Sequence, residues 1–316
     1  MVSRRLLRIK TLQICYAYFK SDNQSIAQSE KELFFSIQKS HDLYHYLFLL
    51  MLDVSHYAQT RIDLASQKRI PTFDDLNPNK KFIENRLLKQ LEKNTALNHY
   101  LNNQKLSWIK YPELAKNLYL EIRDSELYKT YMSSSISSFA EDKKFISDVY
   151  SHILINFEPL YQNLEEQSIY WNDDVEFVIN MILKTLRSFK ANSDENVELM
   201  PLFKNDEDIE FTKRLFRKTV LNYKEYEGLI SMFIQNWDVE RVAFMDNVIM
   251  CLAIAELTEF ADIPTKVTFD EYIEIAKYYS TQKSNHFING ILDKIVDHLK
   301  KEGKILKSGR GLIGEI

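Results

Sequence analysis

Arg4, Arg5 and Arg8 are the side chains whose types and spacing most clearly suggest chemistry. On a helix, residues four apart share a face, so Arg4 and Arg8 align with Arg5 beside them. The helix dipole opposes cations at an N-terminus by about 0.3–1 kcal/mol each near the first turn. Arginines clustered there have a use that offsets this cost, and such a face can follow a phosphate backbone. From Met1 to Lys20 the chain carries Arg4, Arg5, Arg8, Lys10 and Lys20 and no acid. The competing reading is a solvated helix end. Tyr16 can stack on a nucleic-acid base, a contact worth about 1–3 kcal/mol. It also falls on the stripe Ile9, Leu12 and Phe19, which makes it equally a core tyrosine. His41 and His45 have the i, i+4 spacing of two metal ligands on a helix, but no third ligand accompanies them. Cys15 and Cys251 lie far apart, outside any CxxC pattern, and fit a reducing compartment. No metal or cofactor is expected.

Glycine excludes more. There are six, none before Gly228, so the first 227 residues hold no glycine-rich phosphate loop and no nucleophile elbow. Catalysis is not expected. Tight β-turns are also scarce in such a chain, because they need residues at positive φ. The six prolines fall between apolar-periodic stretches, and an all-α protein follows. Net charge is −4, so any polyanion site is a local patch. The longest apolar run, Tyr46 to Leu52, is far short of the ~20 residues that span a bilayer. A cytoplasmic location without membrane contact is expected by elimination.

The elements that would position these residues read as follows. A first helix runs from about Arg4 to Lys20. One or two long helices cover 25–66, a loop 70–79, and helix returns over 80–103. Pro112 opens a helix toward Met132, a serine-rich break follows, and 141–162 and 173–190 are helical. Residues 191–208 are an acidic connection. Helices follow from Phe211, over 223–237, and over Val242 to Phe260, the last strongly amphipathic. Thr268-Phe269-Asp270-Glu271 reads as a capping box. A last helix, about 285–301, contains Gly290 as a position where another element packs closely. The basic tail 303–316 is expected to be loose.

The C-terminal third also holds an ordered set of short motifs. Trp237-Asp238-Val239-Glu240-Arg241 leads to Met245-Asp246, then Ala253-Ile254-Ala255-Glu256-Leu257. Asp262-Ile263-Pro264-Thr265-Lys266-Val267, Asp270-Glu271, Glu274-Ile275-Ala276-Lys277 and Phe287-Ile288-Asn289-Gly290 follow. This string resembles the NusB family of transcription antitermination factors. Arg4, Arg5, Arg8, Gln13 and Tyr16 resemble that family's basic first helix. The resemblance covers about 1–38 and 209–301. It implies a NusB-like pair of small helical bundles, with 39–208 an additional helical insertion. It also implies binding of a boxA-type single-stranded RNA together with NusE, a small-subunit ribosomal protein. That complex joins transcribing RNA polymerase, notably on ribosomal RNA operons.

On this resemblance the RNA-binding residues are Arg4, Arg5, Arg8, Tyr16, Lys283 and Phe287, and Asp246 faces NusE. Their ordinary alternatives are a solvated helix end, core aromatics and an exposed helix charge. The chain departs from the family pattern at Asn247 and Cys251, where basic residues are usual, and at Asp270 and Lys283. Two other functions compete. One is a helical interaction scaffold with little RNA affinity. The other is the helical domain that precedes ribosomal RNA methyltransferases, which would need a downstream α/β domain.

Overall fold

The computed structural model describes residues 3–21, 25–234, 243–281 and 284–314, and every regular element among them is helical. The chain opens with α1 (Arg4–Lys20) and α2 (Ile26–Ser66), then runs through α3 (Phe73–Leu76), α4 (Arg86–Lys93) and α5 (Thr95–Gln104). Next come α6 (Pro112–Asp124), α7 (Glu126–Ser133), α8 (Phe139–Asp148), α9 (Glu158–Gln167) and α10 (Val175–Ser188). The last five are α11 (Asp206–Leu221), α12 (Tyr223–Ile234), α13 (Phe244–Glu259), α14 (Thr265–Tyr279) and α15 (Ser284–Lys301). They form two compact units. One is Gln38–Leu202; the other joins Ser3–Ile37 to Phe203–Ile316. No described helix is long and apolar enough to cross a membrane.

In the Gln38–Leu202 unit, side-chain caps cut the expected long helices into shorter ones. Asn85 accepts from Leu87 and Leu88 N–H and starts α4. Asn94 ends α4 and starts α5, accepting from Leu97 N–H while its amide donates to Val197 C=O. Ser125 does the same between α6 and α7. Each oxygen satisfies a donor that a helix start leaves open. After α8 the chain widens into a π turn (Val149–Ile153) and tightens into a 3₁₀ turn (Leu154–Asn156) before Pro159 in the first turn of α9. The core of this unit includes Tyr46 and Trp108, whose rings stack at 3.6 Å while Trp108 Nε1 donates to Tyr46 C=O at 2.9 Å. His41 and His45 are buried here against Tyr44 and Tyr100.

The other unit is built around α13, which packs against α1, α11, α12, α14 and α15. Val248 through Leu257 are all buried, so α13 is enclosed on every side instead of amphipathic. A helix apolar all round belongs in a core. The capping box is also replaced. α14 starts at Thr265 after Pro264, which places Thr268 inside the helix. There its hydroxyl donates to Glu256, and Glu271 turns to Arg5. Gly290 is exposed, and a Cβ there would meet nothing within 4 Å, so close packing does not explain it.

The segment after α15 is docked. Lys307 Nζ donates to the carbonyls of Leu257 and Phe260, at 3.1 and 2.9 Å, and Ser308 N–H donates to Ala261 C=O at 2.9 Å. Lysine at a helix C-terminus satisfies carbonyls the helix cannot. Gly311 sits so close that an added Cβ would lie 1.9 Å from Ala261 O. Gly311→Ala is therefore expected to release 305–312 and leave α13 intact. Hydrogen exchange should show protection lost at the amides of Ser308, of the substituted residue 311 and of Ile313, with those of α13 unchanged; unchanged protection at Ser308 would refute the docking role.

Candidate nucleic-acid interface

α1 begins after Ser3, whose side chain accepts from Leu6 N–H. Its three arginines each meet a carboxylate from far along the chain. Arg4 Nε donates to Asp208 at 3.0 Å, and Arg5 grips Glu271 through two bonds of 2.8 and 2.9 Å. Arg8 grips Glu256 through two bonds of 2.7 Å. The acids supply the charge that the helix N-terminus lacks. Phe211 lies under the Arg4 and Arg8 guanidiniums at 5.1 and 5.3 Å, within cation–π range.

Their exposure separates the three. The Arg8 side chain is 3% exposed, against 35% for Arg4 and 41% for Arg5. Burial opposes the Arg8 charge, and Glu256 more than offsets it, so its pKa is raised. Glu256 also accepts from Thr268 at 3.0 Å and Tyr272 at 3.1 Å. Arg8 thus fixes α1 on α13 and α14 and presents no donor to solvent. Arg4 and Arg5 hold carboxylates with part of each guanidinium open.

α1 and α14 run side by side in one direction: Arg5 meets Glu271, and eight residues on in both helices Gln13 meets Tyr279 at 3.5 Å. Tyr16 lies about 16 Å beyond Arg5 at 1.5 Å per residue. It is half-buried, its ring edge-on to Phe244 at 5.3 Å, with Lys20 Nζ 4.2 Å from the same Phe244 ring. Lys20 itself is exposed. Phe244 and the pairing of Lys20 with it were not legible in the sequence, because they depend on where α13 starts.

Asp246, in the first turn of α13, is buried and accepts from Ser280, whose oxygen can in turn accept from the Ser284 hydroxyl at 3.0 Å. Its influence on a partner would pass through the position of Ser280. Phe287 is half-buried one turn into α15, and Lys283 and Trp237 lie outside the described residues. Asn247 donates to Tyr223 OH at 2.9 Å, and Cys251 is fully buried. A charged side chain in place of Cys251 would need an internal partner.

Fold and site together define an all-helical protein whose first helix carries cations at one end and a half-buried aromatic ring further along. The NusB family model matches residues 176–297. The transcription antitermination protein NusB of Salinibacter ruber is 40% identical over 115 residues, 36% of this chain and 72% of the relative. The chain belongs to the NusB family, which is non-enzymatic. The NusB of Chloroherpeton thalassium is 40% identical over 104 residues, 33% of this chain and 49% of that protein. A T. maritima NusB structure is 30% identical, covers 46% of this chain and 87% of its own, and superposes with a TM-score of 0.29.

Proposed function

We propose that the chain binds a boxA-type single-stranded RNA together with NusE. In that role it acts within the RNA polymerase antitermination complex, in the cytoplasm, on ribosomal RNA operons. The observation that carries this reading is the line along α1: Arg4 and Arg5 part-open at its N-terminus, Tyr16 and Lys20 further on. Cations positioned by fixed acids bind phosphate, and a half-exposed ring offers a stacking face. Phe287 adds a second ring near the start of α15, and Lys283, just before that helix in the sequence, adds a cation. Arg8 holds the helix, and Asp246 shapes the surface toward NusE through Ser280.

The test is a titration of labelled boxA-type RNA, with and without NusE, at several salt concentrations. Arg4→Ala/Arg5→Ala is expected to weaken binding and to lower the salt slope by about 0.7 for each phosphate no longer neutralised. Binding no tighter than that of an unrelated acidic helical protein would refute the reading. That outcome would favour the scaffold alternative, which the pairing of all three arginines with carboxylates supports.

A further inference from the structure

The Gln38–Leu202 unit carries a groove that the RNA reading leaves unused. Where α6 meets α7 and α8 gives way to the π turn, a cavity of about 660 Å³ opens beside a second of about 440 Å³. Both are lined by Ser125, His152 and Ile153, so they form one trough. The floor of the larger part is apolar: Leu127, Tyr131, Phe145 and Ile153. The Tyr131 and Phe145 rings stack at 4.1 Å and make that floor rigid. The π turn widens the helix beside the groove, a feature often kept where a helix serves a ligand.

Most of the charged side chains lining the trough are acidic. Glu121, Asp124, Glu126, Glu141, Asp148 and Glu158 line it, and among the described residues Lys144 is the one lysine or arginine in either lining. Arg123, Lys129, Lys81 and Lys144 pair with Asp124, Glu126, Glu141 and Asp148. Glu121 and Glu158 are exposed. The Arg123–Asp124 and Lys129–Glu126 pairs are solvent-exposed and hold their partners weakly, so an incoming cation can exchange into them, whereas Lys81 is held on Glu141 and over the Tyr131 ring. Glu121 and Glu158, exposed and outside those four pairs, leave the rim acidic on balance, so it complements lysine or arginine better than phosphate.

We propose that this trough docks a basic amphipathic segment of another polypeptide, its apolar side chains over Leu127, Tyr131, Phe145 and Ile153 and its cations toward the rim acids. The proposal stands apart from RNA binding by α1.

Fluorescence anisotropy of the full chain with a labelled peptide built only of leucine and lysine tests it. Two matched controls replace lysine by glutamate or leucine by serine. The leucine–lysine peptide should bind, and neither control should. Glu121→Lys/Glu158→Lys, both on the surface, should weaken binding about tenfold. Leu127→Ser should weaken it as well, with an unchanged far-UV circular dichroism spectrum in both variants. Equal affinity in the variants, or equal binding of the serine–lysine peptide, would overturn the proposal. So would concentration-dependent self-association abolished by the same variants, which would assign the trough to a second copy of the chain.

Discussion

Arg8→Ala is expected to destabilise the unit containing α1 and α11–α15 by about 3–5 kcal/mol, the range for breaking a buried ion pair by removing one partner. Glu256 is fully buried and takes four donors: two from Arg8, one from Thr268 and one from Tyr272. Without Arg8 a carboxylate remains inside with two hydroxyls and no countercharge. Arg8→Met/Glu256→Met should recover part of the loss, because no charge is then stranded. It should not recover all, because the Thr268 and Tyr272 hydroxyls lose their acceptor, at about 1–3 kcal/mol for each one left unsatisfied. Hydrogen exchange of α13 amides in a urea series reads these changes in the unit itself. A loss below about 1 kcal/mol for Arg8→Ala would mean that the guanidinium is not needed to neutralise Glu256.

The same pair shows where sequence reasoning stops. A cluster of arginines at a helix N-terminus is locally unfavourable, and that signal is visible in the sequence. Its internal resolution is not, since Asp208, Glu271 and Glu256 stand 204, 266 and 248 residues away. Thr268 and Glu271 have the spacing of a capping box, yet tertiary partners claim both side chains. A local motif yields when a buried carboxylate needs a donor more than a helix end does. α1 is legible to the residue because acid-free charge and apolar period agree over Arg4–Lys20. α2 is legible as a span, Ile26–Ser66, because no breaker interrupts its apolar period.

Where the apolar period runs helices together, a single polar side chain divides them. Asn85, Asn94 and Ser125 each look unremarkable in a helical run, but each caps a new helix. For α13 the sequence suggests one polar face. The helix shows none over Val248–Leu257, because its one buried acid there, Glu256, is neutralised by Arg8. Enclosure by five neighbouring helices cannot be read from the period of one. The tail misleads in the opposite sense: glycines at 309 and 311 suggest looseness, whereas Gly311 is the residue that permits close approach to Ala261.

The second large effect is expected on acidification, in the Gln38–Leu202 unit. His45 lies flat against Tyr100 at 3.6 Å, and its Nδ1–H donates to His41 C=O at 2.8 Å. His41 Nε2–H donates to Met200 C=O at 2.9 Å. Each neutral ring has thus placed its one proton. A second proton would add buried positive charge, on two rings only 4.5 Å apart. Burial, then the neighbouring His41, pushes the pKa of His45 down to about 3. Burial also lowers that of His41, against the opposing pull of the Met200 carbonyl and Asp42. Unfolded, both titrate near 6.5. Below that pH the unfolded chain binds protons that the folded unit refuses. Stability is therefore complete above about 6.5 and falls as the pH drops toward 3, at up to about 1.4 kcal/mol per pH unit for each histidine. Urea midpoints followed by the fluorescence of Trp108 and Trp171 should fall between pH 6.5 and 5, before ordinary carboxylates titrate. His45→Gln can keep the bond to His41 C=O and removes one of the two titrating groups, so its slope over that interval should be smaller than that of the parent. An equal slope in the variant would show that the acid sensitivity arises outside this histidine pair.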